Sequence, residues 1–438
     1  MKLLCASDLH LGRRASGVPE HLGLDSARFA TSAVWEQAVE TALRERVDLV
    51  LLAGDVVDRE NRLFEARGPL ERGLNTLARH GIPVYAVAGE HDFDTLRQVA
   101  DAEGAELKLL GRDGHWQTVT VEKGGRPVLR LAGWSAPGQS SRGSVLAGFA
   151  EVAAGEADVP LLALLHGTVS EEDERSADAF APLARAELAR HGVALWVVGH
   201  THSPRFVSVG ESALLEPGAI SPLRPAETGS HGIWIVDVDS DGAVTARLVT
   251  LSPVRFEHLS VDLTGTAEAT DVEAALIRAL HDTLSAALRD DPHGQLVCLS
   301  CHVTIRGHTR LHGEVATIAH DLARTLDIQK RGVVAAINGV ADETRPPLDL
   351  EPLVGRPDSV GEIARLLAAL ERDDPEEFSD AQRELLGRTV TRLQSVHRAR
   401  VFAAVAGDRE PDIADAKRHL RRQGWDVLAS LIQQRGVE

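Results

Sequence analysis

Five short segments in the first half of the sequence each place one or two potential metal-ligating side chains at the end of an apolar run. Together their carboxylates and histidines could hold two adjacent divalent cations and leave an imidazole for proton transfer. Two cations about 3.5–4 Å apart stabilise both the attacking and the leaving oxygen of a phosphate ester. A two-metal phosphoesterase site is therefore indicated by the segments Asp8-Leu9-His10, Gly54-Asp55-Val56-Val57-Asp58, Gly89-Glu90-His91-Asp92, His166-Gly167 and Gly199-His200-Thr201-His202.

The spacing inside these segments suggests how their side chains could serve two cations. A carboxylate that bridges two cations needs both oxygens free, and Asp55 suits that role because it lies in a tight turn after a buried strand. Asp8 and His10 lie two apart on an extended segment, so both can face one side and hold a single ion. His200 and His202 share that spacing, and one of them could serve each cation.

The other histidines need their context to be interpreted. His166 follows a buried strand and alone would be more typical of a core histidine, but beside the other four segments we interpret it as a ligand. His91 is next to Glu90, so it could protonate a leaving oxygen if Glu90 holds a cation, and Asp92 could orient or charge its imidazole. We interpret the residues without comparable support as structural or surface residues, namely Asp58, His21, His80, His115, His191 and His231.

Apolar runs predict a buried strand before each segment, with amphipathic helices between the strands. Every candidate ligand then lies just past the carboxyl end of a strand or in the loop that follows, where open α/β sheets place their sites. The predicted strands are 3–6, 48–53, 83–88, 161–165 and 195–198, and the first predicted helices are 32–46 and 70–80.

The chain of 438 residues is too long for one ordinary core, and its pattern changes twice. Residues 1–255 alternate strands and helices and end in β-hairpins, which predicts an α/β domain. Residues 256–345 predict a small α+β domain. Residues 346–438 predict a proline-rich linker followed by helices, the first of them opened by a capping box of Ser359 and Glu362.

The last predicted helix has an apolar stripe that admits two interpretations. The stripe either folds back on the protein's own core or forms a docking surface for a partner helix. The proline-rich linker before the helices leaves both interpretations open. The stripe consists of Ala416, Leu420, Val427, Leu428, Leu431 and Ile432.

The net charge of −18 disfavours binding of nucleic acid over the whole surface. A nucleic-acid substrate is still compatible with this charge, because two bound cations would reverse its sign locally. Arg13 and Arg14 follow the first segment, and Arg59 and Arg62 follow the second. Each of these arginines either contacts substrate or lies on a solvated rim.

Hydropathy and cysteine content bear on the compartment. No stretch approaches the roughly 18–20 apolar residues of a membrane helix, and the first apolar residues reach the first polar segment too soon for a signal peptide. We therefore expect a cytoplasmic protein. Three cysteines argue against a disulfide framework. Cys298 and Cys301 lie in a strand-like pattern with poor geometry for a shared zinc, so we interpret them as core residues.

The five segments, in this order, resemble the calcineurin-like metallophosphoesterase superfamily. Its motifs Asp-x-His, Gly-Asp-x-x-Asp, Gly-Asn-His-Asp, His and Gly-His-x-His match residues 1–220, with Glu90 in place of the asparagine. The second domain, with its Arg-Gly-His-Thr-Arg-Leu-His segment at 306–312, and the helical tail resemble the SbcD-type DNA repair exonucleases and their YhaO-like branch.

The resemblance implies a four-layer αββα core, two Mn²⁺ ions with Mg²⁺ as the alternative, and hydrolysis of DNA phosphodiesters by a hydroxide held between the metals. It also implies a small capping domain that helps to position DNA, a C-terminal helical segment that docks on an SMC-like coiled-coil ATPase, and a homodimer. By position, one metal would be held by Asp8, His10, Asp55 and His202, and the other by Asp55, Glu90, His166 and His200, with His91 as the proton donor.

Glu90 departs from the family pattern. Asparagine is a neutral ligand through its amide oxygen, whereas glutamate is one methylene longer and negatively charged. Glutamate is still a hard oxygen donor suited to Mn²⁺ or Mg²⁺. We predict tighter cation binding, weaker Lewis acidity and a slower enzyme.

Three hypotheses for the function follow. The leading one is a Mn²⁺-dependent DNA exonuclease or endonuclease that works with an ATPase in DNA repair. A metallophosphoesterase of a small nucleotide or cyclic diester is the first alternative, although the long extension beyond the catalytic domain favours DNA. The second alternative is a scaffold with weak nuclease activity that binds DNA and the ATPase, which the substitution at Glu90 would suggest.

Overall fold

The computed structural model describes residues 1–59, 65–141, 145–154, 159–170, 179–372, 378–398 and 410–435, so Arg62 lies outside the described residues. The strands are β1 Lys2–Ala6, β2 Leu49–Ala53, β3 Val84–Val87, β4 Leu107–Leu109, β5 Gln117–Lys123, β6 Arg126–Trp134, β7 Leu161–His166, β8 Val169–Ser170, β9 Leu183–Ala184, β10 Leu195–Gly199, β11 Arg205–Val209, β12 Ser212–Glu216, β13 Gly232–Val238, β14 Val244–Thr250, β15 Val254–Asp262, β16 Cys298–Arg306, β17 Asp327–Lys330 and β18 Val333–Asp342. The α-helices are α1 Thr31–Glu45, α2 Arg67–Arg79, α3 Thr95–Ala100, α4 Phe149–Ala153, α5 Arg185–Leu188, α6 Ala269–Asp290, α7 Val315–Ala323, α8 Glu351–Val354, α9 Ser359–Arg372, α10 Asp380–His397 and α11 Ile413–Arg435.

The contacts divide the chain into two compact units. The first consists of Met1–His258, Leu280–His302 and Leu326–Asn338, and the second of Leu259–Ala279, Val303–Thr325 and Gly339–Glu438. All five candidate metal segments belong to the first unit. No helix among the described residues combines the length and hydropathy that crossing a bilayer would require.

The first unit contains two sheets packed face to face, with helices on their outer faces. The strand order is β14-β13-β1-β2-β3-β4 in the first sheet and β11-β12-β10-β7-β6-β5 in the second. Leu51 of β2 and Leu164 of β7 belong to the apolar layer between the sheets. Trp35 of α1 and Leu70 of α2 pack on the outer face of the first sheet, and Phe149 of α4 packs on that of the second. The four-layer αββα core expected from the resemblance is confirmed.

Parallel pairing brings the carboxyl ends of the site-bearing strands together. β1, β2 and β3 are parallel neighbours in the first sheet, as are β7 and β10 in the second. Because parallel strands end at the same edge of a sheet, the loops that follow them can meet there. Backbone hydrogen bonds join the first two loops, among them those from the Asp8 N–H to the Gly54 carbonyl at 3.1 Å and from the His10 N–H to the Asp55 carbonyl at 3.0 Å.

A third sheet has the strand order β15-β16-β18-β17. Its last two strands pair antiparallel, with Asp327 opposite Ala336. Cys298 and Cys301 are both buried in β16, as the core interpretation of this pair expects.

The C-terminal helices pack against one another within the second unit. Trp425 and Leu428 of α11 cluster with Leu367 of α9, and Ala416 of α11 clusters with Leu386 of α10. Burial of large apolar side chains stabilises such a bundle by about 1.5–3 kcal/mol per side chain. The apolar stripe of the last helix therefore folds back on the protein's own helices.

The cap of α9 and one residue of the α11 stripe differ from what the sequence predicted. Ser359 is the first helical residue of α9 and does not act as its cap, because the carboxylate of the preceding Asp358 accepts the N–H of Gly361 at 3.2 Å. Val427 is 45% exposed, so it does not belong to the buried stripe.

Candidate active site

Four residues of the predicted metal site hold backbone conformations that side chains rarely adopt. The φ angles of Asp8, His10, Asp55 and His200 are 49°, 42°, 49° and 96°. A non-glycine residue in this region costs of the order of 1–3 kcal/mol, and such residues cluster at functional sites. The strained turns therefore coincide with the candidate ligands.

Glycines permit a close approach of the backbone to Asp55 and His166. A Cβ on Gly89 would lie 2.2 Å from Oδ1 of Asp55. A Cβ on Gly54 or on Gly199 would lie 2.5 or 2.7 Å from Nδ1 of His166. Real Cβ atoms do not approach this closely, so these three segments need glycine where they surround the two side chains.

Asp8, His10 and His202 form the first group of potential ligands. Nε2 of His10 lies 3.2 Å from Nε2 of His202, and the latter lies 3.9 Å from Oδ1 of Asp8. One ligand atom of each residue lies within 4.8 Å of the other two. The Asp8 carboxylate also accepts the N–H of His200 at 3.1 Å, which fixes its orientation.

Glu90, His166 and His200 form the second group. Oε2 of Glu90 lies 3.2 Å from Nε2 of His166, and its Oε1 lies 3.2 Å from Nδ1 of His200. Nδ1 of His166 donates a hydrogen bond to the carbonyl of Ala53 at 2.8 Å. With Nδ1 engaged in this bond, Nε2 of His166 faces Glu90 and is the nitrogen that could bind a cation once it is deprotonated.

Asp55 lies between the two groups. Its Oδ2 is 3.4 Å from Nε2 of His166 in the second group and 4.0 Å from Nε2 of His10 in the first. Its Oδ1 accepts the backbone N–H of His91 at 3.0 Å. Asp55 also forms a close group of potential ligands with Asp8 and His166. The geometry therefore gives Asp55 the intermediate position that its turn suggested.

The carboxylates and histidines of the site shift one another's pKa values. Burial disfavours the charge of Asp55, but the charge of His166, 3.4 Å away, outweighs burial, so the pKa of Asp55 lies well below its usual range. Burial is likewise outweighed at Glu90, where the imidazoles of His166 and His200, each 3.2 Å away, lower the pKa to about 2. Burial also opposes the charge of His166, yet Asp55 raises its pKa well above the usual value. The raised pKa of His166 reflects the carboxylate charge beside it, and the same charge favours bound cations.

Four buried side-chain atoms of the site lack a hydrogen-bond partner, which tests whether cations fit the site. Within the described part of the chain, these atoms are Nδ1 of His10, Oε2 of Glu90, Nδ1 of His91 and Nε2 of His166. A buried polar atom left in this state costs about 1–3 kcal/mol. Carboxylate oxygens and imidazole nitrogens bind divalent cations such as Mn²⁺. The donor set therefore fits divalent cations, which would satisfy Glu90 and His166 in particular.

His91 stands beside both groups and is about one-third exposed. Its Nε2 lies 4.0 Å from Oδ2 of Asp55, and its Nδ1 lies 3.9 Å from Oδ2 of Asp58. Asp58 is fully buried and also lies 3.3 Å from Nδ1 of His10 and 3.4 Å from a guanidinium nitrogen of Arg13. Asp58, which sequence alone did not single out, is thus part of the site.

Asp92 serves the backbone around the site. Its Oδ2 accepts the N–H groups of Val56 at 2.6 Å and Val57 at 3.2 Å, and its Oδ1 accepts that of Gly89 at 2.9 Å. Burial, together with the charge of Asp55, raises the pKa of Asp92 to about 7. These bonds tie the second and third segments together, and Asp58 rather than Asp92 lies beside the imidazole of His91.

An open cavity of about 540 Å³ lies over the two groups, and Arg13 and Arg224 are among its lining residues. A smaller cavity of about 220 Å³ is lined by Arg59 and by His91, which also lines the larger one. Arg14 donates a hydrogen bond to Ser26 at 3.5 Å in an exposed setting. Of the three described arginines predicted to bind substrate, two therefore line cavities at the site.

Glu227 is a second residue of the site, after Asp58, that sequence reasoning did not single out. It accepts a hydrogen bond from Nδ1 of His202 at 3.0 Å, and its other oxygen accepts the N–H of Leu223 at 2.6 Å. It also lies 3.4 Å from Nε of Arg224. Glu227 belongs to a loop between β12 and β13, where no motif or spacing distinguishes it from other surface carboxylates.

Comparison with known proteins agrees with this site. Residues 1–204 match the family described as calcineurin-like phosphoesterase, and this range contains all five metal segments. The chain is 28% identical over 284 residues to the uncharacterized metallophosphoesterase YhaO of Bacillus subtilis (strain 168), and this match covers 64% of the chain and 66% of the relative. It is 26% identical over 258 residues to the DNA double-strand break repair protein Mre11 of Aeropyrum pernix, and this match covers 56% of the chain and 60% of the relative.

Among solved structures, the chain is similar to the protein TT1561 of Thermus thermophilus. The identity is 16%, the TM-score is 0.35, and the match covers 56% of this chain and 97% of the other. The chain spans about two thirds or less of the length of the curated relatives named above. The resemblance to metallophosphoesterases of the YhaO-like type is confirmed by the family match and the first of these relatives.

Proposed function

We propose that the protein is a two-metal nuclease that hydrolyses DNA phosphodiesters in DNA repair, with Mn²⁺ as its cation. The match of residues 1–204 to the calcineurin-like phosphoesterase family supports a phosphoesterase. The position of Asp55 carries this proposal. Its carboxylate lies 3.4 Å from His166 of one ligand group and 4.0 Å from His10 of the other. A single carboxylate in this place suits two adjacent cations, and that arrangement is used for phosphate ester hydrolysis.

The two ligand groups define which residues would hold each ion. One ion would be held by Asp8, His10, Asp55 and His202, and the other by Asp55, Glu90, His166 and His200. When bound, two divalent cations stabilise the attacking and the leaving oxygen of an in-line displacement. The strained turns and the glycines around Asp55 hold these side chains in place before substrate arrives.

His91 is proposed to donate the proton to the leaving oxygen. Its backbone N–H is fixed on Asp55, and its Nδ1 faces Asp58, so its Nε2 can point toward substrate. The carboxylate of Asp58 lies 3.9 Å from Nδ1, beyond hydrogen-bond distance, and its charge favours the ring orientation in which that nitrogen faces it. Asp58 is therefore assigned to positioning His91, and Asp92 to holding the loops that carry the site.

DNA is the proposed substrate for two reasons. The cavity over the site is open and lined by Arg13 and Arg224, whose guanidinium groups suit phosphate oxygens. Arg14 and Arg59 are further candidates for contacts to the DNA backbone. One of the curated relatives is a DNA double-strand break repair protein. The net charge of −18 means that such binding would be confined to the surroundings of the site.

The remaining parts of the chain are proposed to serve DNA repair with a partner. The division into a nuclease domain at 1–255, a capping domain at 256–345 and a linker with partner-binding helices at 346–438 remains our proposal, as do a homodimer and a cytoplasmic location. Because the apolar stripe of α11 is already covered, an SMC-like coiled-coil ATPase would bind the exposed basic faces of α10 and α11. These faces carry Arg388, Arg392, Arg418 and Arg422.

The proposal is tested by assaying metal-free protein, reloaded with Mn²⁺ or Mg²⁺, on single- and double-stranded DNA and on bis-p-nitrophenyl phosphate. We expect hydrolysis of both substrate classes and a higher kcat/KM for DNA. Hydrolysis of the small diester without hydrolysis of DNA would instead favour an enzyme for small nucleotides. DNA binding without hydrolysis of either substrate would favour the scaffold.

A His91→Ala variant separates chemistry from contamination and from metal loss. Loss of a general acid lowers kcat by about 10²–10⁴-fold. Because His91 also lies close to His10 and Asp55, cation binding is measured on the same sample. Unchanged binding with reduced kcat supports proton donation, whereas loss of a cation would make His91 a ligand.

A further inference from the structure

The smaller cavity beside His91 has the features of a subsite for part of a substrate. Its volume is about 220 Å³, and it is lined by Arg59, His91, Phe93, Asp94 and Gln139. Pockets for drug-sized ligands are about 300–1,000 Å³. A cavity below this range fits one small planar group rather than a longer stretch of chain.

Phe93 is the aromatic wall of this cavity and is held firmly. It is partly buried and packs against the apolar core on the outer face of the first sheet. The neighbouring Asp92 is fixed by three backbone amides, and its carbonyl accepts the N–H of Leu96 at 2.8 Å. A ring anchored in this way loses little freedom when a ligand stacks on its open side.

The polar residues of the cavity indicate what kind of group it takes. Gln139 offers an amide with both donors and an acceptor, and Asp94 adds a carboxylate. The negative charge of Asp94 disfavours a phosphate inside the cavity. Arg59 is exposed and can meet a backbone phosphate at the rim. An aromatic wall with polar groups beside it suits the stacked face and the hydrogen-bonding edge of a nucleobase.

We propose that this cavity binds the base of the nucleotide that carries the leaving oxygen, with Phe93 stacking on that base. This inference rests on the proposed nuclease function. It follows from the place of His91, which lines both cavities and is the proposed donor to the leaving oxygen. The scissile phosphate then lies in the larger cavity, and the departing nucleoside lies on the other side of His91.

The test pairs a change in the protein with a change in the substrate. Single-stranded oligonucleotides carry one abasic tetrahydrofuran nucleotide, placed in turn at each position around the cleavage site. Stacking on an aromatic side chain contributes about 1–3 kcal/mol per base, or about 5- to 150-fold. The unaltered protein should lose this factor in kcat/KM at one position, that of the leaving nucleotide. Phe93→Ala should lose a similar factor on intact DNA and show almost no further loss on the abasic substrate at that position.

Controls separate this inference from the proposed function and from folding. Phe206→Ala removes another partly buried phenylalanine of the same unit and should keep the full abasic penalty. Phe93→Leu retains apolar volume without an aromatic face, and Phe93→Tyr should restore the penalty. Cation binding and thermal unfolding of each variant report its folding.

The outcomes are distinct. Failure of the unaltered protein to cleave DNA contradicts the proposed function itself. If the unaltered protein cleaves DNA but has no abasic penalty at any position, the base subsite is wrong. If the penalty is the same in the unaltered protein, Phe93→Ala and Phe93→Leu, stacking on Phe93 is also wrong.

Discussion

Glu227 accepts a hydrogen bond from Nδ1 of His202 at 3.0 Å, so Nε2 of His202 faces His10 and Asp8. The bond selects one tautomer of the imidazole, the one whose Nε2 lone pair is free for a cation. Carboxylates that hold a metal-binding histidine in this way raise its basicity and fix its orientation. Because Glu227 also lies 3.4 Å from Arg224, it links a proposed ligand to a proposed substrate contact.

We predict that Glu227→Gln weakens cation binding about 10- to 100-fold, the range found when such supporting carboxylates are replaced. The affinity is measured by calorimetric titration of metal-free protein with Mn²⁺. Glu45→Gln is the matched control, because Glu45 is paired with Arg247 in the same unit and lies outside the site. Equal Mn²⁺ affinities of Glu227→Gln and the unaltered protein would contradict the role of Glu227.

The same residue predicts a pH dependence of stability. Burial opposes the charge of Glu227, but the hydrogen bonds from His202 and Leu223 outweigh it and lower its pKa to about 2. Its pKa when unfolded is about 4.3, so the stabilisation is complete above that value and is lost as the pH falls toward 2. Without metal, the Glu227→Gln variant should therefore have a lower free energy of unfolding than the unaltered protein. The difference should be about 1.5–3 kcal/mol at pH 7 and smaller at pH 3. Denaturant unfolding at both pH values measures this, and an equal difference at the two would be inconsistent with the assigned pKa.

Glu90→Asn is predicted to loosen cation binding and to accelerate turnover. Glu90 contacts His166 and His200 at 3.2 Å each, and its charge adds to that of Asp55. Removing this charge should weaken cation affinity by about tenfold and raise the Lewis acidity of the ions that remain bound. Rates at saturating Mn²⁺ are compared for Glu90→Asn and for Glu90→Gln, which keeps the side-chain length. A nuclease rate that drops in Glu90→Asn at saturating Mn²⁺ would contradict this prediction.

Trp425→Ala is predicted to destabilise the second unit without altering the metal site. Trp425 is buried with Leu367 and Leu428 between α9 and α11. Truncation of a buried tryptophan costs about 3–5 kcal/mol. Val427→Ala, at a position 45% exposed on the same helix, should change stability by less than about 0.5 kcal/mol. Denaturant unfolding compares the two variants, and a small effect of Trp425→Ala would mean that the stripe is not covered in solution.

Much of the fold and site could be predicted because its signals are local. Strands such as β2 and β7 are continuous apolar runs, and the ligand segments follow directly after them. Parallel pairing of β1 and β2 then brings Asp8 and Asp55 together, and the packing of the two sheets adds His166 from β7. The two-residue spacing of Asp8 and His10 also indicated a shared ion, but the extended conformation expected for this segment was wrong, because both residues have a positive φ.

The parts that were not predicted depend on tertiary contacts. Glu227 acquires its role only because its loop folds next to His202, which lies 25 residues earlier in the chain. Asp58 looked unremarkable until His10, His91 and Arg13 were found around its carboxylate. The cap of α9 is Asp358 and not the expected Ser359. Both side chains can accept a hydrogen bond from the first turn, and only the backbone conformation decides which residue precedes the helix.

The most direct test of the account is the number of cations bound when Asp55 is changed. If Asp55 is shared, Asp55→Asn should weaken both sites, whereas Glu90→Gln should weaken mainly the site of His166 and His200. Metal-free proteins are titrated with Mn²⁺, and bound metal is counted by elemental analysis after desalting. We predict two ions per chain for the unaltered protein and fewer than one for Asp55→Asn. An Asp55→Asn variant that still binds one ion at full affinity would contradict a shared carboxylate and the two-metal mechanism built on it.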